Sequence, residues 1–393
     1  MTSDEQRLLE RYAPYIQYDS MESFAADSVA TMTDCIPQGD PQGNTLCEEG
    51  GTVLAQAVPA AGGAKLELDF LRVGTYSDQA HTVVKRSDYI DVSGKTYVED
   101  AREMHVRPGM ADQIYGHAKR DTKGALWLQY WFFYFYNNKA FLYVGLHEGD
   151  WEMIQVRLGA DRKPDAATYA QHTQGERCAW GEVELEPSPD GPAPVVYSAR
   201  GSHASYFRRG TYEQAPIVPD YNDAGGPRVR PTMSPIEENT AWVAWPGTWG
   251  NTRALIGPIG SNSPPGPSHH GAWKDPLAFH EAARPAERLP AAVEVALPET
   301  PVVEVRRQGL RAVVSYSFAP VKPGEPTTTG LLVSFDGHQD GRPPATTYYT
   351  TGDQPGEVEF PVDLQGRQYT VRASAVYETG LTGSAAVVEL PAA

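Results

Sequence analysis

The chain has 393 residues, 40% of them hydrophobic, and a formal net charge of −17. That length supports two or three domains with real cores, and the acidic balance excludes the basic stripe that a nucleic-acid backbone requires. No apolar run reaches the length of a membrane span, so no transmembrane segment is expected.

Glycine (37) and proline (33) are frequent and helical periodicity is scarce. This combination favours short strands joined by turns and long loops. The expected class is mainly β: a β-sandwich core with long loops and few short helices. The opening residues, Met1 to Arg7, are polar and acidic and carry no secretory signal. A cytoplasmic location is the expectation, and a secreted one if a signal was removed. Three cysteines cannot form a disulfide framework. Cys35 and Cys47 share a Gly/Pro/Asn-rich loop, where they either pair in an oxidising compartment or remain thiols. Cys178 has no neighbouring motif and reads as a filler.

Residues 4–13 read as a first helix ended by Pro14. Ile16 to Tyr18 form a strand entering a loop with Asp19, Glu22 and Asp27. Residues 34–64, rich in Gly, Pro and Ala, read as irregular. Leu66 to Phe70 alternate as a half-buried strand does. A strand is expected at Thr96–Val98 and a short helix near Ala111–Ala118. His105 and His117 lack a metal-ligand spacing and read as surface or satisfied histidines.

Trp127 to Tyr136 is apolar on both faces, as in a central strand covered on both sides. Asn137 and Asn138 make the turn. Residues 150–158 return as the second strand, and period 2 places Asp150, Glu152, Ile154, Val156 and Leu158 on one face. Two ionised acids on a face otherwise filled by Ile, Val and Leu are costly. They must be paired with cations, share a proton or hold a metal. His147 lies just before the strand, and Gly149 lets the backbone bend as at a bulge.

Pro194 to Phe207 begins as a strand and reaches Arg200-Gly201-Ser202-His203, which puts an imidazole in a loop. Asp220-Tyr-Asn-Asp-Ala-Gly-Gly reads as a plain polar turn. Trp242, Trp245 and Trp249 read as the closing edge of the core rather than an aromatic platform. Residues 281–297 look like a linker. Beyond it, seven strand candidates between Val302 and Leu390 have the count and size of an Ig-like sandwich. The expected domains are thus 1–280, a metal-centred β-sandwich, then the 281–297 linker, then 298–393.

His-x-x-Asp-x-Glu offers His147, Asp150 and Glu152 within six residues, with His203 as the best fourth ligand. Hard oxygen donors with a nitrogen suit one divalent ion, Mg²⁺, Ca²⁺ or Mn²⁺, with Zn²⁺ or Fe²⁺ also compatible. The alternative is a buried ion-pair network, for example Glu152 with Arg200.

Leu128-Gln-Tyr-Trp-Phe-Phe-Tyr, Gly145-Leu-His-Glu-Gly-Asp-Trp-Glu-Met, Ala199-Arg-Gly-Ser-His-Ala-Ser-Tyr and Pro246-Gly-Thr-Trp-Gly resemble the vacuolar-protein-sorting-associated (Vps62-like) family over roughly residues 10–280. The same core is similar to the necrosis-inducing (NLP-type) cytolysins, whose signature is Gly-His-Arg-His-Asp-Trp-Glu. That resemblance implies a sandwich with a divalent cation that helps bind a sphingolipid sugar headgroup. Its ligands would fall on His147, Asp150 and Glu152, and its later loop histidine on His203. The cytolysins carry a further Asp before the motif where this chain reads Asn137-Asn138-Lys139; Asn137 could offer an oxygen in its place. Asp363 to Gly380 resembles the penultimate strand of fibronectin type III domains, with Leu364 and Tyr369 matching the tyrosine corner and Tyr316 in place of the usual early tryptophan.

Two uses of the metal follow. It recognises a small-molecule, glycan or lipid headgroup ligand, with aromatics stacking on the ring. Alternatively it serves an enzyme of hydrolase or lyase type, with Glu152 or His203 as general base and Arg200 stabilising negative charge. A metal-free glycosidase pair is disfavoured, because residues two apart on one strand can hardly flank a glycosidic bond.

Overall fold

The computed structural model describes the chain apart from residues 34–43, 49–50, 57–58, 61–62, 65–85, 93–96, 140–146, 213–219, 252–262, 287–297, 324–326, 338–344, 363–367, 378–382 and 393. The Leu66–Phe70 strand, Cys35 and its pairing with Cys47, Leu364 and most of the expected linker lie outside the described residues.

Helix α1 (Ser3–Arg11) opens on a capping box. Thr2 Oγ1 accepts the Glu5 N–H at 3.2 Å, and the Glu5 carboxylate accepts the Thr2 N–H at 2.9 Å. Strand β1 (Tyr15–Gln17) follows. Helix α2 (Tyr97–His105) stands where a strand was expected at Thr96–Val98. Tyr97, Val98, Ala101 and Met104 are all buried, so a helical period outweighs the strand-favouring Tyr-Val start. Strand β2 (Gln113–Arg120) likewise replaces the helix expected at Ala111–Ala118. It is paired along both edges, and that ladder overrides local propensity.

Strands β3 (Leu126–Asn137), β4 (His147–Leu158), β5 (Pro164–Gln171) and β6 (Gln174–Ala179) continue the same sheet. Then come β7 (Ala193–Ser198), β8 (Asp220–Asn222), β9 (Arg228–Val229), β10 (Thr232–Pro235) and helix α3 (Pro276–Ala282). The larger sheet runs β10-β2-β3-β4-β5-β6 and ends on Arg284–Pro285. A smaller sheet orders Leu185–Glu186, β7, β1 and β9, with Ser205–Tyr206 also on β7. One apolar cluster joins them, taking Ile16 and Val196 from one sheet and Leu128, Tyr130, Ile154 and Tyr169 from the other.

The β3–β4 ladder keeps one register from Leu126↔Leu158 to Asn137↔His147. The bulge expected at Gly149 is therefore absent. Gly149 is needed for another reason: its φ is +60°, and a Cβ there would lie 1.9 Å from the Trp249 carbonyl oxygen.

The two faces of β3 and β4 do different things. Odd positions pack on tryptophans: Phe133 on Trp249 (5.3 Å between ring centroids), Trp151 on Trp242 (5.6 Å) and Trp131 on Trp273 (6.0 Å). Trp245 and Trp249 are fully buried, so these tryptophans close the core, as expected. Even positions turn towards the smaller sheet, where the Tyr134 and Ser198 hydroxyls meet at 3.1 Å. Asp150 and Glu152 stand on that second face, opposite Tyr134 and Phe132.

Among the described residues the last strands are β11 (Val302–Gln308), β12 (Arg311–Ser317), β13 (Thr328–Gly337), β14 (Ala345–Thr350), β15 (Gly356–Pro361), β16 (Tyr369–Tyr377) and β17 (Ala386–Leu390). They divide into sheets β11-β12-β15 and β14-β13-β16-β17 around a second apolar cluster that includes Tyr316 and Tyr369. The molecule is mainly β, with a fibronectin-like sandwich after the larger core. Among the described residues no helix is long and apolar enough to cross a membrane.

Candidate functional site

Asp150 and Glu152 are both 6% exposed at the Asn137–His147 end of β3 and β4. Asp150 Oδ2 accepts hydrogen bonds from His203 Nδ1 at 2.9 Å and from Asn137 Nδ2 at 3.2 Å. The Asn137 oxygen accepts the Lys139 N–H, so Asn137 supports Asp150 as a donor. Burial pushes the Asp150 carboxyl up, but the His203 bond and the neighbouring His147 and His203 charges hold it below the usual range. Glu152 differs. Among the described residues nothing donates a hydrogen bond to its carboxyl group, and burial together with the Asp150 and Asp220 charges pushes its pKa well up.

His203 is fully buried. Its ring stacks on Tyr134 at 3.9 Å and 6°, and its Nε2 lies 3.6 Å from the Glu22 carboxylate. Burial alone would lower its pKa; Glu22 and the Asp150 bond outweigh that and hold it at about 9. The imidazolium is thus a cation between two carboxylates. Glu22 is pinned in turn by the N–H groups of Ser23, Phe24 and Gly201, at 2.8, 2.9 and 2.7 Å. The backbone of His203 is left-handed, at φ +56°. It is closed there by Ala199 and Ala204, whose backbone bonds cross the loop at 2.8 and 2.9 Å.

Arg200 does not pair with Glu152. Its Nε donates to the Tyr221 hydroxyl at 2.6 Å, and its guanidinium lies 3.5 Å from Asp19. Burial pushes Asp19 up to about 6, with Arg200 opposing. Asp220, expected in a plain turn, is a buried hub. It receives Lys139 and Ser202 on one oxygen, and His172 (2.9 Å) and Tyr206 (2.7 Å) on the other. Burial works against its charge, but Lys139 and His172 hold its carboxyl far below the ordinary range. Read from the sequence, Glu22 falls in a loop and Asp220 in a polar turn with neither assigned to the site, and Lys139 has no part in it. Each is an isolated charge in a loop or short strand, and the one available signal was polarity beside aromatic residues.

His147 directs Nδ1 at the Gly149 carbonyl, 2.8 Å away. No three of His147, Asp150, Glu152 and His203 bring one donor atom each within 4.8 Å of one another. Among the described residues the group that does is Asp27, His105 and Asp112. There His105 Nδ1 lies 3.0 and 3.1 Å from the two Asp27 oxygens, and the Asp112 N–H donates to Asp27 at 2.8 Å. His105 is therefore an ion-pair partner. His117 is a satisfied one, bonded to Gln129 at 2.9 Å and stacked on Trp273 at 3.7 Å.

No curated protein matches the chain. Among solved structures, one titled "Toxin fold for microbial attack and plant defense" is 14% identical and covers 71% of this chain and 92% of its own, with a TM-score of 0.32. "NLPPya in complex with glucosamine" is 13% identical and covers 43% and 68%, at 0.28. The third fibronectin III domain of human KIAA0343 protein is 16% identical and covers 27% and 90%, at 0.22. Residues 96–218, which run from α2 through β7 to the His203 loop, match the family described as Vacuolar protein sorting-associated protein 62 (Vps62), and over that stretch this chain is similar to that family.

Proposed function

We propose that the chain binds one divalent cation at the Asp150–Glu152 end of the larger sheet and uses it to recognise a glycan or lipid headgroup. The observation that carries this reading is Glu152: a buried acid beside a second acid, with no hydrogen-bond donor among the described residues. Such a group is costly unless protonated or coordinated. Asp150 and Glu152 supply hard oxygens that suit Mg²⁺, Ca²⁺ or Mn²⁺, and His147, whose Nδ1 faces the Gly149 carbonyl, must turn its ring to add a nitrogen. The cation supplies open coordination positions for hydroxyl or phosphate oxygens. The protein's own part is positioning: His203 and Asn137 orient Asp150, and Glu22 balances the His203 charge.

Recognition is favoured over general-base catalysis by His203. Its Nδ1 donates to Asp150 at 2.9 Å and its Nε2 faces the Glu22 carboxylate at 3.6 Å, so both nitrogens are turned to acids rather than to a substrate proton, whereas a base must accept. Arg200 is consumed by Asp19 and Tyr221 and does not serve a substrate charge. The test is elemental analysis and calorimetric titration with Mg²⁺, Ca²⁺, Mn²⁺ and Zn²⁺. The native chain should bind one ion, and Asp150→Ala should lose it. Absence of binding at saturating ion, or equal binding by the variant, overturns the reading. Glycan and headgroup arrays with and without the ion then test the ligand class.

A further inference from the structure

Tyr221 belongs to two structures at once. On one side its hydroxyl accepts Arg200 Nε at 2.6 Å, its carbonyl accepts the Arg200 N–H at 2.9 Å, and the guanidinium carbon sits 4.2 Å from its ring centroid. The same ring forms an apolar cluster with Leu332 of β13 and Val376 of β16. Leu331 and Val333 enter the sandwich core, so Leu332, between them, faces outward. Outward residues of a free sandwich meet water. Here Leu332 and Val376 are each 1% exposed, and Ser334 and Ser374 are buried as well.

We infer that the C-terminal sandwich is a brace for the candidate site. Leu332 and Val376 press on Tyr221, Tyr221 holds Arg200, and Arg200 anchors the loop that carries Gly201 to Glu22 and His203 to Asp150. Tyr221 is thus a positioning residue, and displacement of the sandwich loosens the site at a distance. A spacer would leave the site indifferent to its docking; a brace couples the two.

The affinity readout rests on the divalent-cation reading above. In the full chain, Tyr221→Phe keeps the ring against Leu332 and removes the hydroxyl from Arg200. Leu332→Asp breaks the docking, and Val387→Asp, at an exposed position of β17, is the control. Mn²⁺ affinity is measured together with amide hydrogen exchange at Arg200 to His203. Tyr221→Phe should weaken Asp150-dependent Mn²⁺ binding about tenfold. Leu332→Asp should weaken it at least as much and speed exchange in the loop, while Val387→Asp changes neither. Native affinity and slow exchange in Tyr221→Phe and Leu332→Asp would overturn the brace. If the native chain binds none of Mg²⁺, Ca²⁺, Mn²⁺ and Zn²⁺ at Asp150, the cation reading fails and loop exchange alone judges the brace: faster exchange in Leu332→Asp supports it, unchanged exchange sinks it.

Discussion

Two of the acid–histidine clusters among the described residues of the larger core differ in an instructive way. Asp27, His105 and Asp112 converge tightly, yet the His105 ring is part-exposed and, among the described residues, the hydrogen bonds of the Asp27 carboxylate stay within the cluster. Asp150, Glu152, His203 and Glu22 converge less, yet the first three residues and the Glu22 side chain are buried and one carboxyl is left without a donor among the described residues. Proximity of ligand-type atoms is therefore a poor guide by itself. What marks a site is a buried group whose bonding the fold leaves incomplete.

The largest effect that would sharpen this contrast is loss of Glu22. Glu22→Ala strips the fully buried His203 of one counter-charge, and the cost expected is about 3–5 kcal/mol in a denaturant titration. A loss near zero would mean that Asp150 alone satisfies the imidazolium. Next comes pH. His203 has a folded pKa of about 9, above an ordinary value near 6.5. Its contribution is complete below pH ~6.5 and disappears as pH rises towards the folded value, on the order of 3 kcal/mol in all. Thermal unfolding in chelator between pH 6 and 9.5 should show that decline, and the Glu22→Ala variant should flatten it.

Glu152 should behave in the opposite sense. Glu152→Gln removes an acid that the ion-free fold tolerates badly, so the chelated protein should gain about 1–2 kcal/mol while losing its cation. A destabilised variant would reveal a bonding partner for Glu152. The smallest effect belongs to the other cluster. His105→Ala removes a part-exposed imidazole from the buried Asp27 carboxylate, which keeps the Asp112 N–H at 2.8 Å, and should cost about 1 kcal/mol, leaving Mn²⁺ binding at Asp150 unchanged by calorimetry.

Much of the larger sheet was legible because aromatic and aliphatic residues fill both periods of Trp127–Tyr136, and because Asp150 and Glu152 interrupt one period of the next strand. Elements at 96–120 were misread for complementary reasons. Tyr97-Val98 favours a strand locally, but burial at Ala101 and Met104 follows the helix; Gln113–Arg120 is a strand because two neighbours pair with it. The bulge at Gly149 was misplaced because a glycine reports freedom without saying which neighbour demands it, and the neighbour is Trp249, a hundred residues on.

The sequence by itself determined the mainly β class, the fibronectin-like strands after Val302, and the unfavourable placement of two acids on a buried face. These rest on local periodicity, which a chain carries in its own order. Only the tertiary structure decided that His203 is a cation held between Asp150 and Glu22, that Arg200 serves Asp19 and Tyr221, and that Asp220 is a hub for Lys139 and His172. Charges interact through space, and the depth at which a group is buried sets both its pKa and the partners it must find. Nothing in the order of residues 19–22, 139, 150–152, 200–203 and 220 states those depths; the packing of the two sheets does.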